Sequence, residues 1–265
     1  MDWNKKLYTD NEKPLENIVN GYSFTSIFRK IAFIGDSMSS GEFELKDENN
    51  STSYHDMFEY SWGQHIARKN GITAYNFSRG GMTAKEYFES YARIKGWWDN
   101  YYDAQAFIIA LGVNDFRQPY PIGTIDEVKD KSARQYNSFA TYLAGIIERY
   151  KAKQPHAKFF LMTTFRSSAD TPEKTEQRKA HRQLLLDMAE YYDNTYVIDI
   201  FTYGPLHDEE FKRNFNLAGH LNPMGYALAG KIVMSYIDYI IRNNPEDFAQ
   251  VGFIGHDFYN ENFKR

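Results

Sequence analysis

Five short apolar runs recur along the chain, and longer segments with helical spacing separate them. The runs are Ile31–Ile34, Ile72–Phe77, Ala106–Leu111, Lys158–Thr163 and Thr195–Ile200. A nearly continuous apolar run of this length is typical of a strand that is buried on both faces of a parallel sheet. The pattern therefore predicts five parallel strands.

The segments between these runs carry the spacing and the end signals of helices. Apolar residues from Tyr136 to Tyr150 recur at steps of three and four, which predicts an amphipathic helix. Thr171-Pro172-Glu173 combines an N-cap residue, a first-turn proline and an acidic first turn, so a second helix is expected to begin there. Pro223 opens a third helix, which we expect to run to about Arg242.

The alternation of strands and helices predicts an α/β fold with a doubly wound parallel sheet. Parallel strands need crossover connections, and helices on both faces of the sheet provide them. The sequence contains no internal repeat, no low-complexity tract and no change of composition typical of a linker. We therefore expect one domain over residues 1–265, with its core at about 30–243 and with the terminal segments packed on it as extensions.

Composition and charge exclude several classes of function. The chain has 31 Lys and Arg against 35 Asp and Glu, so its net charge is −4 and nucleic acid is not an expected partner. It has no cysteine, which excludes disulfides, a thiolate nucleophile and thiolate-bound metals. His, Asp and Glu do not occur at metal-ligand spacing, and glycine-rich phosphate-binding motifs are absent. The sequence therefore predicts no metal and no cofactor.

No stretch of the sequence predicts a membrane span. The most hydrophobic segment, Ala227–Ile241, is interrupted by Lys231 and Asp238. The N-terminal residues MDWNKKLYTDNEKP lack the apolar core of a signal peptide. A cytoplasmic location is the expectation from these features, and secretion after removal of a signal peptide is the alternative. Nothing in the sequence indicates the oligomeric state.

Polar residues at the ends of the strands carry the candidate chemistry, because ligands of an open parallel sheet bind beyond the carboxyl ends of its strands. The first strand leads into Gly35-Asp36-Ser37, where a serine hydroxyl at a strand-to-helix turn can act as a nucleophile. Helix capping by Asp36 and Ser37 is the alternative interpretation. The segment does not match the Gly-x-Ser-x-Gly elbow, since residue 39 is a serine.

Three further groups follow the second, third and fifth strands. The backbone N–H of Gly81, in a Gly80-Gly81 turn, can face an oxyanion, and the carboxamide of Asn114 can donate at the same edge. A turn that needs a positive φ and an Asx turn are the structural alternatives for these two residues. His220, just before the proline that opens the last helix, is the candidate general base. The other six histidines lack such a context.

The order of these residues, a serine, a glycine turn, an asparagine and a histidine, resembles the SGNH or GDSL-type hydrolase family over Ile31 to about Arg242. The resemblance implies a flavodoxin-like three-layer α/β/α fold and the hydrolysis of esters. It implies that Ser37 attacks the acyl carbonyl and that His220 accepts its proton. The N–H groups of Ser37 and Gly81 and the side chain of Asn114 would then form the oxyanion hole.

One position departs from the family pattern. The family usually has an aspartate three residues before the histidine, and Leu217 stands there in this chain. An acid from the Asp208-Glu209-Glu210 run or a backbone carbonyl near Leu217 can take its place, or else the protein is a degenerate hydrolase that only binds its ligand. We expect a dyad of Ser37 and His220 that is supported by a backbone carbonyl.

The sequence defines the substrate less well than the reaction. The resemblance favours short acyl groups, often acetyl on carbohydrate, with lysophospholipids and thioesters as the substrates of relatives. Arg166, after the fourth strand, is either a ligand for a substrate carboxylate or phosphate or a solvated loop residue. An aromatic wall for a sugar and burial in the core are the two interpretations of five further residues: Phe43, Tyr54, Trp62, Trp97 and Trp98.

Overall fold

The centre of the molecule is a five-stranded parallel sheet in a computed structural model that describes residues 11–263. With all strands numbered along the chain, its members are β1 (Lys30–Gly35), β4 (Thr73–Ser78), β5 (Ala106–Ala110), β6 (Lys158–Met162) and β8 (Thr195–Ile198). Their order across the sheet is β4-β1-β5-β6-β8. The five predicted strands are confirmed, and their ends differ from the predicted ones by at most two residues.

Short two-stranded pairings surround this sheet. They are β2 (Glu42–Lys46) with β3 (Thr52–Asp56), β7 (Arg166–Ser167) with β9 (Leu206–His207), and β10 (Asn216–Leu217) with β11 (His220–Leu221).

The central strand is buried on both faces because its apolar run is continuous. Residues 31–34 of β1 are fully buried. Ile34 is in parallel register with Phe77 of β4 on one side and with Ile109 of β5 on the other. This arrangement brings the carboxyl ends of the strands to one edge of the sheet, and the candidate residues follow at that edge.

Helices cover both faces of the sheet. They are α1 (Ser37–Ser40), α2 (Trp62–Asn70), α3 (Ala84–Glu86), α4 (Ala92–Ile94), α5 (Ile125–Lys129), α6 (Phe139–Lys153), α7 (Pro172–Tyr191), α8 (Ile200–Tyr203), α9 (Glu209–Phe215) and α10 (Pro223–Asn243). A π-helical turn, Tyr87–Tyr91, joins α3 to α4. Single 3-10 turns occur at Phe24–Ile27, Phe58–Tyr60, Asn100–Tyr102, Asp115–Arg117 and Val251–Phe253.

Buried side chains form one cluster on each face of the sheet, which gives the three layers of an α/β/α fold. On one face, Tyr150 of α6 packs on Phe107 of β5 with 4.3 Å between ring centroids. On the other, Trp62 of α2 meets Phe33 of β1 edge to face at 5.3 Å. The predicted α/β class is therefore confirmed.

The helix predicted from Tyr136 begins later than its apolar stripe. Helix α6 starts at Phe139, because the hydroxyl of Ser138 caps it by accepting the N–H of Thr141 at 3.3 Å. Tyr136 lies outside the helix and stacks on Phe88 with 4.6 Å between ring centroids. Its apolar position therefore reflects loop packing and not helical periodicity. The predicted helix starts at residues 172 and 223 agree with α7 and α10.

The β2–β3 hairpin is an element that the sequence analysis did not predict. Phe43 is the one buried residue of β2, and its ring contacts that of Tyr226 in α10 at 5.5 Å. All residues of β3 are exposed. Because the hairpin buries so little apolar surface, its sequence lacks the continuous run that marks the central strands.

Both terminal segments make contacts with other parts of the chain where the structure describes them. Residues 1–10 and 264–265 lie outside the described residues. Phe28 and Phe248 are both buried, with 6.3 Å between their ring centroids. Arg242 of α10 forms an ion pair with Glu12 at 2.7 Å. Within residues 11–263, no helix has the length and apolar character needed to cross a bilayer.

Candidate active site

Ser37 begins α1, directly beyond the carboxyl end of β1. The carboxylate of Asp36 caps this helix by accepting the N–H of Met38 at 3.0 Å. The carbonyl of Ser37 accepts the N–H of Gly41, whose φ of 77° ends the helix. Asp36 therefore has the capping role considered above. The Ser37 hydroxyl makes no hydrogen bond to any residue in the described part of the chain.

The turn after β4 and the loop after β5 lie against each other. Asn114 donates from Nδ2 to the carbonyl oxygen of Met82 at 3.2 Å. Gly81, the residue before Met82, has a φ of 72°, a conformation that favours glycine. A Cβ at Gly81 would meet no atom within 4 Å, so open space adjoins it. The structure thus places Asn114 against the residue that follows Gly81, with the Asn114 amide donating to the carbonyl of Met82.

His220 reaches the same edge from β11. It pairs in antiparallel register with Leu217 of β10, and its side chain is 18% exposed. Helix α10 follows it, and the hydroxyl oxygen of Tyr226 in that helix lies 3.4 Å from the carbonyl oxygen of Ser37. This contact ties the segment that carries the candidate base to the segment that carries the candidate nucleophile.

The imidazole of His220 lies against a carboxylate that the sequence analysis missed. Its Nδ1 atom is 3.2 Å from Oε2 of Glu44 in β2. The same oxygen accepts the N–H of Gly219 at 2.8 Å. The expectation that a backbone carbonyl near Leu217 orients the ring is therefore wrong, because a carboxylate occupies that place.

The acidic run at the start of α9 makes no hydrogen bond or ion pair with His220 in the described structure. Asp208 caps α9 by accepting the N–H of Phe211 at 2.8 Å. Glu209 forms an ion pair with Lys212 at 2.8 Å, and Glu210 is exposed. The idea that one of these acids replaces the missing aspartate is therefore also wrong.

A second glutamate of β2 approaches the other ring nitrogen. Oε1 of Glu42 lies 3.2 Å from Nε2 of His220, at ion-pair distance. No hydrogen bond joins these two atoms in the described structure, so the carboxylate oxygen does not lie along the Nε2–H direction. The other carboxylate oxygen fills the space over Gly80, where a Cβ would overlap it. No hydrogen bond joins Ser37 to His220 among residues 11–263.

Several carboxyl groups around the nucleophile are buried, and burial shifts their titration. It raises the pKa of Asp36 to about 7 and that of Asp115 to about 6. Burial also raises the pKa of Glu42; protonated His220 opposes this rise, and the charge of Asp56 adds to it. Across the described residues, no group of three His, Asp or Glu side chains is arranged to hold a metal ion.

The aromatic candidates divide into core residues and one site residue. Tyr54 of β3 is 58% exposed, and its ring lies edge-on to that of His220 with 6.0 Å between centroids. The remaining four belong to the buried core: Phe43, Trp62, Trp97 and Trp98.

Arg166 lies in β7 of the small β7–β9 sheet and binds to the protein itself. Its guanidinium donates to the carbonyl of Gly204 at 3.3 Å, and its Nε is buried without a partner. It makes no hydrogen bond with Ser37 or His220 in the structure as described.

An apolar cavity of about 100 Å³ adjoins the site without including Ser37 or His220. Asp36 and Met38, which flank the serine, and Leu221, which follows the histidine, form part of its wall. The cavity therefore lies behind the segments that carry the candidate residues.

The fold and the residues at the sheet edge agree with the family resemblance drawn from the sequence. Residues 33–228 match the model of the GDSL-like Lipase/Acylhydrolase family. The chain belongs to this family. As a GDSL-like hydrolase it is a carboxylic ester hydrolase, and the enzyme class predicted from the sequence is confirmed. The matched residues include Ser37, Asn114 and His220.

Solved structures of esterases share the fold of this GDSL-like hydrolase. A family two carbohydrate esterase from Clostridium thermocellum, in complex with cellohexaose, aligns with a TM-score of 0.55 and 17% identity over 89% of this chain and 66% of its own. A family 2 enzyme from Corynascus thermopiles (Myceliophthora fergusii) aligns at 0.55 and 14% over 86% and 69%. A family 3 carbohydrate esterase from Clostridium thermocellum aligns at 0.50 and 16% over 81% and 98%. No curated protein matches the chain in sequence.

Proposed function

We propose that the protein is a serine esterase that removes short acyl groups, acetyl in particular, from carbohydrate hydroxyls. The observation that carries the proposal is the imidazole of His220, which lies at the sheet edge beyond Ser37 with Glu44 at its Nδ1 atom. A nucleophile, a base and an orienting carboxylate are the groups that acyl transfer requires. The family match and the carbohydrate esterases of similar fold support the choice of an ester of a sugar.

In the proposed reaction, Ser37 Oγ attacks the acyl carbonyl while Nε2 of His220 takes its proton. Glu44 accepts a hydrogen bond from Nδ1–H, which selects one tautomer and stabilises the imidazolium as it forms. The N–H groups of Ser37 and Gly81 and the amide of Asn114 receive the oxyanion, each donor contributing about 3 kcal/mol to the transition state. The imidazolium then protonates the leaving alcohol, and water attacks the acyl-enzyme with His220 as the base.

Ser37 and His220 must approach each other when substrate binds, since no hydrogen bond joins them in the described structure. Catalytic hydrogen bonds are often long or poorly aligned without substrate and tighten in the complex. The carboxylate of Glu42 makes no hydrogen bond to Nε2 in the described structure, so that nitrogen keeps its hydrogen bond for an attacking or leaving oxygen.

Labelling with a fluorophosphonate tests the nucleophile, and hydrolysis of p-nitrophenyl acetate tests the reaction. We expect the probe to label Ser37 in the wild type and to leave Ser37→Ala unlabelled. Ser37→Ala and His220→Ala should each remove most of the esterase activity, and the double variant should be no slower than either, because the two residues act as one unit.

His55→Ala is the matched control, because His55 is exposed on the neighbouring strand β3. It should keep wild-type activity. Circular dichroism must first show that all variants are folded. Turnover at the wild-type rate by Ser37→Ala or His220→Ala would refute the proposed function.

A further inference from the structure

We propose that Glu42 selects esters whose alcohol carries a hydrogen-bond donor, a hydroxyl or an ammonium, on the carbon next to the ester-bearing carbon. This inference rests on the proposed function, since it concerns the alcohol side of the ester that Ser37 cleaves.

A hydrogen bond to its backbone, strand pairing and the packing of its side chain fix the position of Glu42. The hydroxyl of Tyr226 donates to the Glu42 carbonyl at 2.7 Å, and Glu42 pairs with Asp56 across the hairpin. Its side chain is only 13% exposed and lies between Gly80 and the ring of His220. The carboxylate is therefore held beside Nε2 rather than free to move through solvent.

The leaving oxygen of the ester must come to the nitrogen that Glu42 flanks. In the proposed reaction, His220 returns its proton to that oxygen along the Nε2–H direction. Oε1 of Glu42 lies 3.2 Å from Nε2 and makes no hydrogen bond to it in the described structure, so it does not occupy this direction. The leaving oxygen, about 3 Å from Nε2 in such a hydrogen bond, and Oε1 then have the same nitrogen as a neighbour, so a donor on the next carbon of the alcohol can reach the carboxylate.

The charge at this position distinguishes two kinds of alcohol. A neighbouring hydroxyl or ammonium donates a charge-assisted hydrogen bond to the carboxylate. An alcohol without a donor presents only lone pairs to the carboxylate. Nothing then offsets the repulsion between the Glu42 carboxylate and the leaving oxygen, which grows as that oxygen gains negative charge in the transition state. Glu42 therefore favours the first kind and disfavours the second, as specific sites often do.

Nothing in the described structure neutralises this charge when His220 is unprotonated. Among residues 11–263 the ion pair of Glu42 is with His220, and no lysine or arginine forms an ion pair or a hydrogen bond with its carboxylate. Tyr54 extends the site on the hairpin side, with an exposed ring 6.0 Å from that of His220. An alcohol that combines a ring with vicinal hydroxyls, as sugars do, fits both features.

The test compares three acetate esters of similar size: 2-hydroxyethyl, 2-methoxyethyl and 2-(dimethylamino)ethyl acetate, with acetate release followed by pH-stat titration. For the wild type we expect kcat/KM for the hydroxyethyl ester to exceed that for the methoxyethyl ester by about tenfold or more. A preference for the dimethylaminoethyl ester alone would still support the donor rule and would assign the alcohol to the cationic class.

Substitution of Glu42 shows whether this residue is the cause. Glu42→Leu should bring the hydroxyethyl to methoxyethyl ratio to within about threefold of one, and Glu42→Gln should raise the rate on the methoxyethyl ester because it removes the charge. Glu48→Leu, a change at an exposed glutamate in the turn of the same hairpin, should leave the ratio unchanged. A merely structural role for Glu42 would slow all three esters equally and leave their ratio intact.

Equal kcat/KM for all three esters in the wild type would overturn the inference, and this holds even if Glu42→Leu does not fold. A ratio that survives in Glu42→Leu would overturn it as well. If the wild type hydrolyses none of the three esters and the fluorophosphonate does not label Ser37, the proposed function fails and the inference fails with it. Labelling with equal rates on the esters refutes the inference alone.

Discussion

Glu44 has two hydrogen-bonding partners within two consecutive residues, the N–H of Gly219 and the Nδ1 atom of His220. The backbone contact fixes the carboxylate, so that it can hold the imidazole in one tautomer and one orientation. A carbonyl oxygen can also accept the Nδ1 proton, but it carries no charge to stabilise the imidazolium that forms in the transition state. A glutamate from a distant strand can therefore supply what Leu217 cannot.

Glu44→Gln tests the charge of this residue. The amide keeps nearly the same size, but it removes the negative charge and can hold the ring in the wrong tautomer. We expect kcat on p-nitrophenyl acetate to fall by roughly a hundredfold to ten-thousandfold while the thermal midpoint changes little. Steady-state rates and a thermal melt of the same preparation give both quantities.

Three amide substitutions in the acidic run serve as controls for Glu44→Gln. Asp208→Asn, Glu209→Gln and Glu210→Gln should stay within about tenfold of the wild type, a barrier change below roughly 1.4 kcal/mol. A collapse of activity in any of them, with Glu44→Gln fully active, would show that the carboxylate near Nδ1 is not the functional one.

The alternating direction of side chains along β2 explains why both of its glutamates lie beside His220. Successive side chains of a strand point to opposite faces, so Phe43 packs on Tyr226 while Glu42 and Glu44 face His220. Two glycines make room for the carboxylates, since a Cβ at Gly80 or Gly219 would overlap them. The packing of Phe43 thus fixes the hairpin, and Gly80 and Gly219 leave the space that its two glutamate side chains occupy.

Gly219→Ala tests this fit. Gly219 does not have a positive φ, so alanine can adopt its backbone conformation, but the new Cβ overlaps Oε2 of Glu44 and displaces the carboxylate. We expect kcat/KM to fall about a hundredfold, since misplacement of a catalytic group by about 1 Å has an effect of that size. The measurement is a Michaelis–Menten series beside a thermal melt.

Gly21→Ala is the matched control, because a Cβ there meets no atom within 4 Å and the φ is again not positive. It should keep full activity. If Gly219→Ala is as active as Gly21→Ala, the position of the Glu44 carboxylate does not limit the rate.

The parts of the molecule that can be predicted from sequence are those whose burial leaves a local pattern. The five central strands are buried on both faces, and their runs are visible within a few residues. The β2–β3 hairpin has one buried side chain on its first strand and none on its second, so its only local signal is the alternation in Glu42-Phe43-Glu44. Glu44 and His220 are 176 residues apart in the sequence. Nothing near Glu44 in the sequence distinguishes it from the other acidic residues, which number 35 in all, so its contact with the histidine could not be predicted.

The shape of the whole site predicts a preference for acetyl over octanoyl esters. The carboxylates and the exposed ring of Tyr54 around His220 face the alcohol side of the ester, so an eight-carbon acyl chain gains no apolar contact from them. The apolar cavity behind the site has about 100 Å³ and does not include Ser37 or His220. We expect kcat/KM to be higher for p-nitrophenyl acetate than for the octanoate. Faster hydrolysis of the octanoate would assign the cavity to the acyl chain and favour a lipid substrate.

The buried carboxyl of Asp36 makes the stability of the whole chain depend on pH. Burial raises its pKa from 3.8 to about 7 in the folded protein, while the unfolded chain keeps the ordinary value. Between these two values the folded state binds more protons than the unfolded state, so the free energy of unfolding falls as pH rises and levels off above pH 7. Burial lowers the pKa of His181 to about 4, which has the opposite sign and raises stability between about pH 4 and 6.5.

Asp36→Asn separates the two contributions, because asparagine is an equally good helix cap and His181 is present in both proteins. From pH 5 to pH 8 we expect the wild type to lose about 2 to 3 kcal/mol of unfolding free energy relative to the variant, since one pKa unit corresponds to about 1.4 kcal/mol. Urea denaturation at both pH values measures this difference, in which the contribution of His181 cancels. Asp257→Asn, at an exposed carboxyl group, should follow the wild type at both pH values. If wild type and Asp36→Asn change in parallel, the carboxyl of Asp36 is ionised in the folded protein throughout this range.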